Sequence, residues 1–234
     1  LSNSGYGIIK WSDQHKLIAD VAKIGPNYQP GHGHADTLSF ELSLFGQRLL
    51  VNSGISTYEV GKDRHWQRST AAHNTVEVNE KNSSEVWSSF RVARRAMPYN
   101  VQMVESSSQI KLSASHTGYE RFKKSVTHQR SWLAQYSSLV IVDNLFGNFF
   151  SAKSYWHLHP SVKLSKISSN QIIATLSEGQ QVFLSFKGAN IRLLDGFWYP
   201  SFGVQKENSC IVLIFNDDKV ETSISWLKEL KPSS

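Results

Sequence analysis

"LSFELSLFGQRLLV", Leu38–Val51, is the stretch that decides the fold class. Leu38, Phe40, Leu42 and Leu44 alternate with Ser39, Glu41 and Ser43, which puts the apolar set on one face of an extended strand. "FGQR" supplies a turn around Gly46, and "LLV" returns as a second strand. The same period of two recurs in "HNTVEV", "RFKKSVTHQRSW", "LVIVD", "KSYWHLH", "QIIATL", "QQVFLSF", "NIRLL" and "CIVLIF". Each run is short and bounded by Gly, Asn, Ser, Asp or Pro. Many short strands at this spacing predict an all-β chain, a large antiparallel β-sandwich with few or no helices. "SEVWSSFRVARRA" fits a helix and a strand about equally, and both readings stay open. The tail "KELKPSS" reads as a frayed end.

The bulk properties narrow the function classes. With 234 residues, 40% of them hydrophobic and 19% charged, the chain buries a sizeable core, and one all-β domain over residues 1–234 is the expected organisation. Cys210 is the single cysteine, which excludes an internal disulfide and a thiolate metal cluster. Any metal site is therefore built from His, Asp, Glu, Asn or backbone oxygen. The formal charge of +6 suits an acidic polymer and equally suits solubility alone. No apolar run approaches the ~20 residues of a membrane helix. No basic start followed by an apolar stretch marks a signal peptide, and the chain begins with Leu1. A processed protein and a piece of a longer polypeptide both look like this. Without a recognised nucleic-acid motif beside the charge, nucleic acid ranks last among partners.

The chemistry-bearing residues begin just before the deciding strand, in "PGHGHADTLSFEL". In extended backbone, residues two apart point to one side, so His32 and His34 can converge on one ligand or one metal ion. Gly31 and Gly33 allow close backbone approach. The competing reading is a pair of histidines lining a polar loop. H-x-H-x-D opens the metallo-β-lactamase signature, but Thr37 stands where that signature needs another His. The cupin signature also starts H-x-H, but Glu41 lies too far along for its spacing. A cupin-like metalloenzyme is kept as an alternative. "RHWQRSTAAHNTVEV" adds His73 as a candidate ligand and Arg68 as a candidate anion contact, against the reading of a capped polar loop. "HTGYERFKKSVTHQR" adds Tyr119, Arg121, Lys123 and Lys124. His128 and Arg130 follow on an alternating strand whose face is either solvated or turned to substrate.

Taken in order, these stretches resemble the C-terminal domain of the heparinase II/III-like polysaccharide lyases. "SGYGIIKW" resembles the family's opening strand. "GHGHADTLSFEL" matches its G-H-x-H-A-D-x-L-S-F-x-L block, and "RSTAAHNTVEVN" its R-S-T-x-x-H-N-T-V block. "LLVNSGISTY" resembles the strand ending D-x-G-x-x-x-Y, with Asn52 in place of Asp. "HTGYERF" and "HQRSW" resemble two further segments. The likeness is specific from about Gly5 to Arg130 and looser beyond.

The resemblance implies a supersandwich-like domain attached to an upstream α/α toroid, and β-elimination on uronate-containing polysaccharides of glycosaminoglycan or alginate-like type. It implies that His32 faces the cleft, as a proton-transfer group or as part of a carboxylate clamp. It implies that His34, Asn52 and His73 surround a structural Zn2+. Two imidazoles and one oxygen make sensible zinc coordination, although a neutral amide is a poorer ligand than a carboxylate. Asp36 is the substitute ligand. Arg64, Arg68, Arg94, Arg95, Tyr119 and Arg121 are the expected contacts to acidic glycan. A Tyr and an Asn of the toroid share the catalysis in the family and have no counterpart here. The chain is thus expected to be the C-terminal part of a longer bacterial lyase, periplasmic or secreted, and inactive or nearly so alone. A non-catalytic glycan-binding sandwich is the alternative.

Overall fold

The structure, a computed structural model, describes residues 4–12, 14–123 and 125–227. Lys124 and the "KELKPSS" tail lie outside the described residues. Four antiparallel strands open the chain, β1 Tyr6–Lys10, β2 Lys16–Asp20, β3 Phe40–Leu44 and β4 Gln47–Leu50, paired in that order. Leu42 and Leu44 are fully buried in β3, as the alternation predicts. The strand begins at Phe40 and not at Leu38, because Leu38 adopts φ 62° and breaks the extended run. The β3–β4 turn is at Phe45 and Gly46, both at positive φ.

A short helix, α1 Lys62–Gln67, and a 3-10 turn at Thr70–Ala72 follow. Neither was expected from a segment read as a polar loop, since one or two turns of helix are too short to show a period of 3.6. Then come β5 Val76–Val78 and a small hairpin of β6 Val86–Trp87 and β7 Arg91–Val92. That hairpin resolves the ambiguous "SEVWSSFRVARRA" in favour of strand.

The remaining strands are β8 Pro98–Glu105, β9 Gln109–Tyr119, β10 Val126–Gln135, β11 Ser138–Gly147, β12 Ala152–His157, β13 Lys163–Ser168, β14 Gln171–Thr175, β15 Gln181–Lys187, β16 Ala189–Ser201, β17 Val204–Phe215 and β18 Lys219–Trp226. Eight of them form one antiparallel sheet, ordered β13-β14-β15-β18-β11-β10-β9-β8. A second four-stranded sheet runs β16-β17-β12-β5. It continues the first through a Leu50–Leu158 bridge and the bond from Val51 N–H to His157 O, 2.9 Å. One apolar core joins all three sheets. Leu17 and Leu42 come from the first, Trp132, Ile141 and Ile224 from the eight-stranded sheet, and Trp156 and Leu213 from the other. The chain is therefore a large antiparallel β-sandwich.

The inner face of the eight-stranded sheet carries a buried polar network. β10 alternates strictly, but its buried positions include His128 and Arg130. The alternation alone leaves this face solvated or turned to substrate, and both residues are fully buried. Arg130 sits directly across from Asp143 on β11 and meets it through two bonds, Nε–Oδ1 at 2.7 Å and Nη2–Oδ2 at 2.9 Å. Its Nη1 donates to the carbonyls of Leu38, 2.8 Å, and Asn74, 2.6 Å. Gly118 N–H donates to His116 Nδ1, so His116 Nε2–H donates to His128 Nδ1 and His128 Nε2–H to Asp143. Burial alone would raise the Asp143 carboxyl, but Arg130 and the His128 N–H outweigh it and hold it down at about 2.

Breaking a buried pair leaves an uncompensated charge and costs ~3–5 kcal/mol. Asp143→Asn is therefore expected to lower the unfolding free energy, read from denaturant melts, by that amount. A loss of only a few tenths of a kcal/mol rejects the pair as the keystone of the fold.

Candidate functional site

The G-H-x-H loop is not extended, and this separates its two histidines. Gly33 N–H returns to Pro30 O at 2.9 Å, closing a turn. A Cβ on Gly33 would lie 2.4 Å from Ile24 Cγ2 and 3.1 Å from Pro30 O, so a side chain has no room there. The two-apart rule fails in such a turn. His32 is exposed, and His34 is turned inward.

Arg68 holds this loop in place. It is 1% exposed, and its guanidinium donates to the carbonyls of Gly33, Ser88 and Arg91, with Nη2–O of Gly33 at 2.9 Å. Ala35 N–H bonds Arg68 O at 2.9 Å, and Thr70 Oγ1–H bonds Ala35 O at 2.9 Å. The R-S-T stretch thus staples the histidine loop to the end of α1 and to the β6–β7 hairpin. The Asn of H-N-T does similar work. Asn74 Nδ2 donates to Phe40 O, 2.8 Å, and Val51 O, 3.1 Å, while its Oδ1 accepts from His157 N–H at 2.7 Å.

These roles, with those below, correct the expected glycan contacts at Arg68, Tyr119 and Arg121. Arg68 has every donor on backbone carbonyls and no surface to offer. Tyr119 is fully buried and gives its hydroxyl to Val76 O at 2.6 Å. Burial raises its pKa, so it stays neutral. Arg121 donates to Ser83 O, 2.8 Å, and Asn82 O, 2.5 Å, and packs over Phe122. Arg95 ties down Ile24 O and Asn27, whereas Arg94 pairs with Glu85 and stays exposed. Arginine forks capping backbone carbonyls look the same in sequence as arginine forks awaiting an anion.

His34 and His73 do come together, with His34 Nδ1 and His73 Nε2 3.2 Å apart. Burial and then Arg64 and Arg68 push His34 down to about 3, and burial and then His34 push His73 well below its usual range. Both are neutral imidazoles at physiological pH. Asp36 offers a carboxylate oxygen within 4.8 Å of both. Burial and then the neighbouring Asp20 push its carboxyl well above the usual range, favouring the uncharged acid. Asn52 Oδ1 is turned to the N–H of Asn74, at 3.5 Å.

The nitrogen spacing alone resembles the ~3.3 Å between two ligands on tetrahedral zinc with ~2.05 Å bonds. The rest of the donor set opposes a dication. The oxygen at the middle position is that of a neutral amide, and the buried guanidinium of Arg64 stands 3.4 Å from His34 Nε2. As arranged, these residues do not fit a zinc ion.

Around His32 the sequence reading missed an aromatic surface. The His32 ring meets Tyr58 and Phe90, each with centroids 5.4 Å away, and Tyr58 meets Phe202 at 4.7 Å. Tyr58, Phe90 and Phe202 are 37%, 45% and 53% exposed, so their faces are open to a ligand. Arg64 lies beneath, fully buried, with its guanidinium 5.1 Å from the Tyr58 ring and 5.8 Å from Phe90. An open groove of about 510 Å³ runs past Tyr58 and Phe90 to Arg91. Phe202 reaches the cluster from far along the chain because Tyr199 N–H bonds Ser53 O at 2.6 Å. Gly54, at φ 77°, permits that approach, since a Cβ there would lie 2.0 Å from Tyr199 O. The Tyr of the S-G-x-x-x-Y stretch was the one sequence signal for this surface.

Comparison with known proteins places the chain. The family described as "Heparinase II/III-like, C-terminal" matches residues 1–227. A heparin-sulfate lyase from Bacteroides stercoris is 29% identical over 195 residues, 79% of this chain and 26% of that protein. The crystal structure of a heparan sulfate lyase from Pedobacter heparinus superposes with a TM-score of 0.76 at 15% identity, covering 98% of this chain and 36% of that one. A crystal structure of heparinase III gives a TM-score of 0.77 at 17% identity, over 96% of this chain and 36% of its own. The chain thus spans well under half the length of these relatives.

Four buried histidines, His73, His116, His128 and His157, and the half-buried His34 have their proton affinity lowered in the fold, each first by desolvation. In the unfolded chain they take up protons below pH ~6.5, while His157 resists to about 4 and His34 to about 3. Through these histidines the unfolded state binds more protons, so their contribution to stability is full above pH ~6.5 and falls as pH drops, offset in part by Asp20 and Asp36, whose raised carboxyls shed protons on unfolding. Each histidine contributes a slope of ~1.4 kcal/mol per pH unit. Denaturant midpoints followed from pH 7 to pH 5 are expected to show uptake of several protons on unfolding. The absence of any net proton uptake on unfolding at pH 5 contradicts the buried neutral set.

Proposed function

Since the chain belongs to the heparinase II/III-like C-terminal family, we propose that it is the C-terminal part of a polysaccharide lyase that cleaves uronate-containing acidic polysaccharide by β-elimination, and that His32 completes the cleft. The observation that carries this reading is the placement of His32. It is the exposed histidine of the G-H-x-H block, with its ring against Tyr58 and Phe90, two rings that line an open groove.

The chemistry explains why such a group is needed. A base removes the proton at C5 of the uronate, beside the carboxylate. That proton is weakly acidic until the carboxylate charge is neutralised. The C5–H electrons then form the C4–C5 double bond, the C4–O bond breaks, and an acid protonates the departing oxygen. His32 either transfers a proton or helps to hold the carboxylate. The exposed guanidinium of Arg91, on the same groove, is suited to the carboxylate charge. The Tyr and Asn that share this work in the family are proposed to come from an upstream α/α toroid of the parent polypeptide. No step requires a metal ion, and the arrangement proposed is that of a periplasmic or secreted enzyme. A second reading, a glycan-binding sandwich without catalysis, is favoured by one feature, the exposed Tyr58, Phe90 and Phe202 faces on which a sugar ring can stack.

The test uses the full-length protein with a panel of acidic glycans, read by the absorbance of unsaturated uronate. His32→Ala is expected to lower kcat by ~10²–10⁴, the usual weight of a proton-transfer group. Absence of unsaturated product from every glycan removes the lyase reading. Binding of the same glycans without turnover would establish the second.

A further inference from the structure

His34 has a hydrogen-bonding neighbour at each ring nitrogen, and the two neighbours fix where its proton lies. Nε2 is 3.4 Å from Arg64 Nη1. A guanidinium has five N–H donors and no acceptor, and it stays charged inside proteins. Two N–H groups cannot share one hydrogen bond, so Nε2 carries the lone pair. The single hydrogen of the neutral ring is then on Nδ1, which points at His73 Nε2 across 3.2 Å. His73 Nε2 must accept it.

A metal-bound histidine has the opposite polarity. Its lone pair faces the ion, and its remote N–H is donated to a carboxylate, carbonyl or water. Arg64 presents the wrong partner for that arrangement. It is also held where it is. Its Nε donates to Ser89 O at 3.2 Å, and Tyr58 and Phe90 lie against its guanidinium. No carboxylate pairs with it among the described residues, and its Nη2 has no partner there. A buried cation so placed opposes a second positive charge a few ångströms away.

We infer that in this protein His34 and His73 form a neutral N–H···N hydrogen-bonded pair locked by Arg64, and that this pair takes the place of a metal ion in tying the histidine loop to the H-N-T segment. Arg64 is a positioning residue, acting through the His34 ring. Asn52 is consistent with the same change, because a site that holds no dication needs no carboxylate at the middle position. The inference does not depend on which reaction the full-length protein performs.

The decisive measurement is the ring-nitrogen NMR spectrum of the 15N-labelled 234-residue chain, taken after dialysis against chelator and again with added zinc. His34 is expected in the Nδ1–H form, with less than a tenth of an equivalent of zinc retained and an unchanged thermal midpoint after chelation. Arg64→Met removes the donors and keeps the length. It is expected to release His34 to the Nε2–H form and to tighten zinc binding at least tenfold, and Asn52→Asp added to it is expected to tighten binding further. An Nε2–H His34 in the wild-type chain overturns the inference, as does a full equivalent of zinc retained through chelator dialysis. Equal zinc affinity of wild type and Arg64→Met also overturns it. If Arg64→Met fails to fold, the wild-type tautomer and zinc content decide alone.

Discussion

The Arg130–Asp143 pair is the contact on which the site depends. Both groups are buried, and neither tolerates burial alone. Arg130 spends its remaining Nη1 donor on two carbonyls, Leu38 and Asn74. Leu38 ends the loop that carries His34, and Asn74 follows His73. One guanidinium on the eight-stranded sheet therefore sets the separation of the two segments whose imidazoles meet. Asp143, with His128 and His116 behind it, keeps that guanidinium in register.

The same economy of arginine explains where the positive charge goes. Arg68, Arg95 and Arg121 each cap backbone carbonyls of loops that have no sheet partner. A loop-rich end of a sandwich leaves many carbonyls without ladder bonds, and a forked cation satisfies several at once. The basic balance is thus partly a structural cement, and not solely the footprint of an acidic polymer. The surface left for a ligand is aromatic and histidine-bearing, with Arg91 at its edge.

The two histidines of one short motif have separate fates for a local reason. The turn closed by Gly33 rotates one ring outward and the other inward, where a flat strand would have aimed both alike. His32 joins Tyr58 and Phe90 in solvent, and His34 joins His73 and Arg64 below them. Tyr58 and Phe90 touch both the His32 ring and the Arg64 guanidinium that reaches His34.

Alternation at period two made the antiparallel sandwich legible, because burial on one face of a strand is written directly into residue order. The ordered G-H-x-H and R-S-T-x-x-H-N-T blocks made the family and the neighbourhood of His32, His34 and His73 legible as well. Residue order could not tell which face of β10 is buried, since His128 and Arg130 are polar on either reading. Nor could it separate an arginine capping Gly33 or Ser83 from one awaiting substrate, because both use the same donors. Short elements such as α1 left no period to read. The sequence by itself determined the sheet architecture and the cast of chemical groups. Only the tertiary structure decided the hydrogen-bond polarity around His34, because that depends on Arg64, thirty residues away, arriving with donors alone.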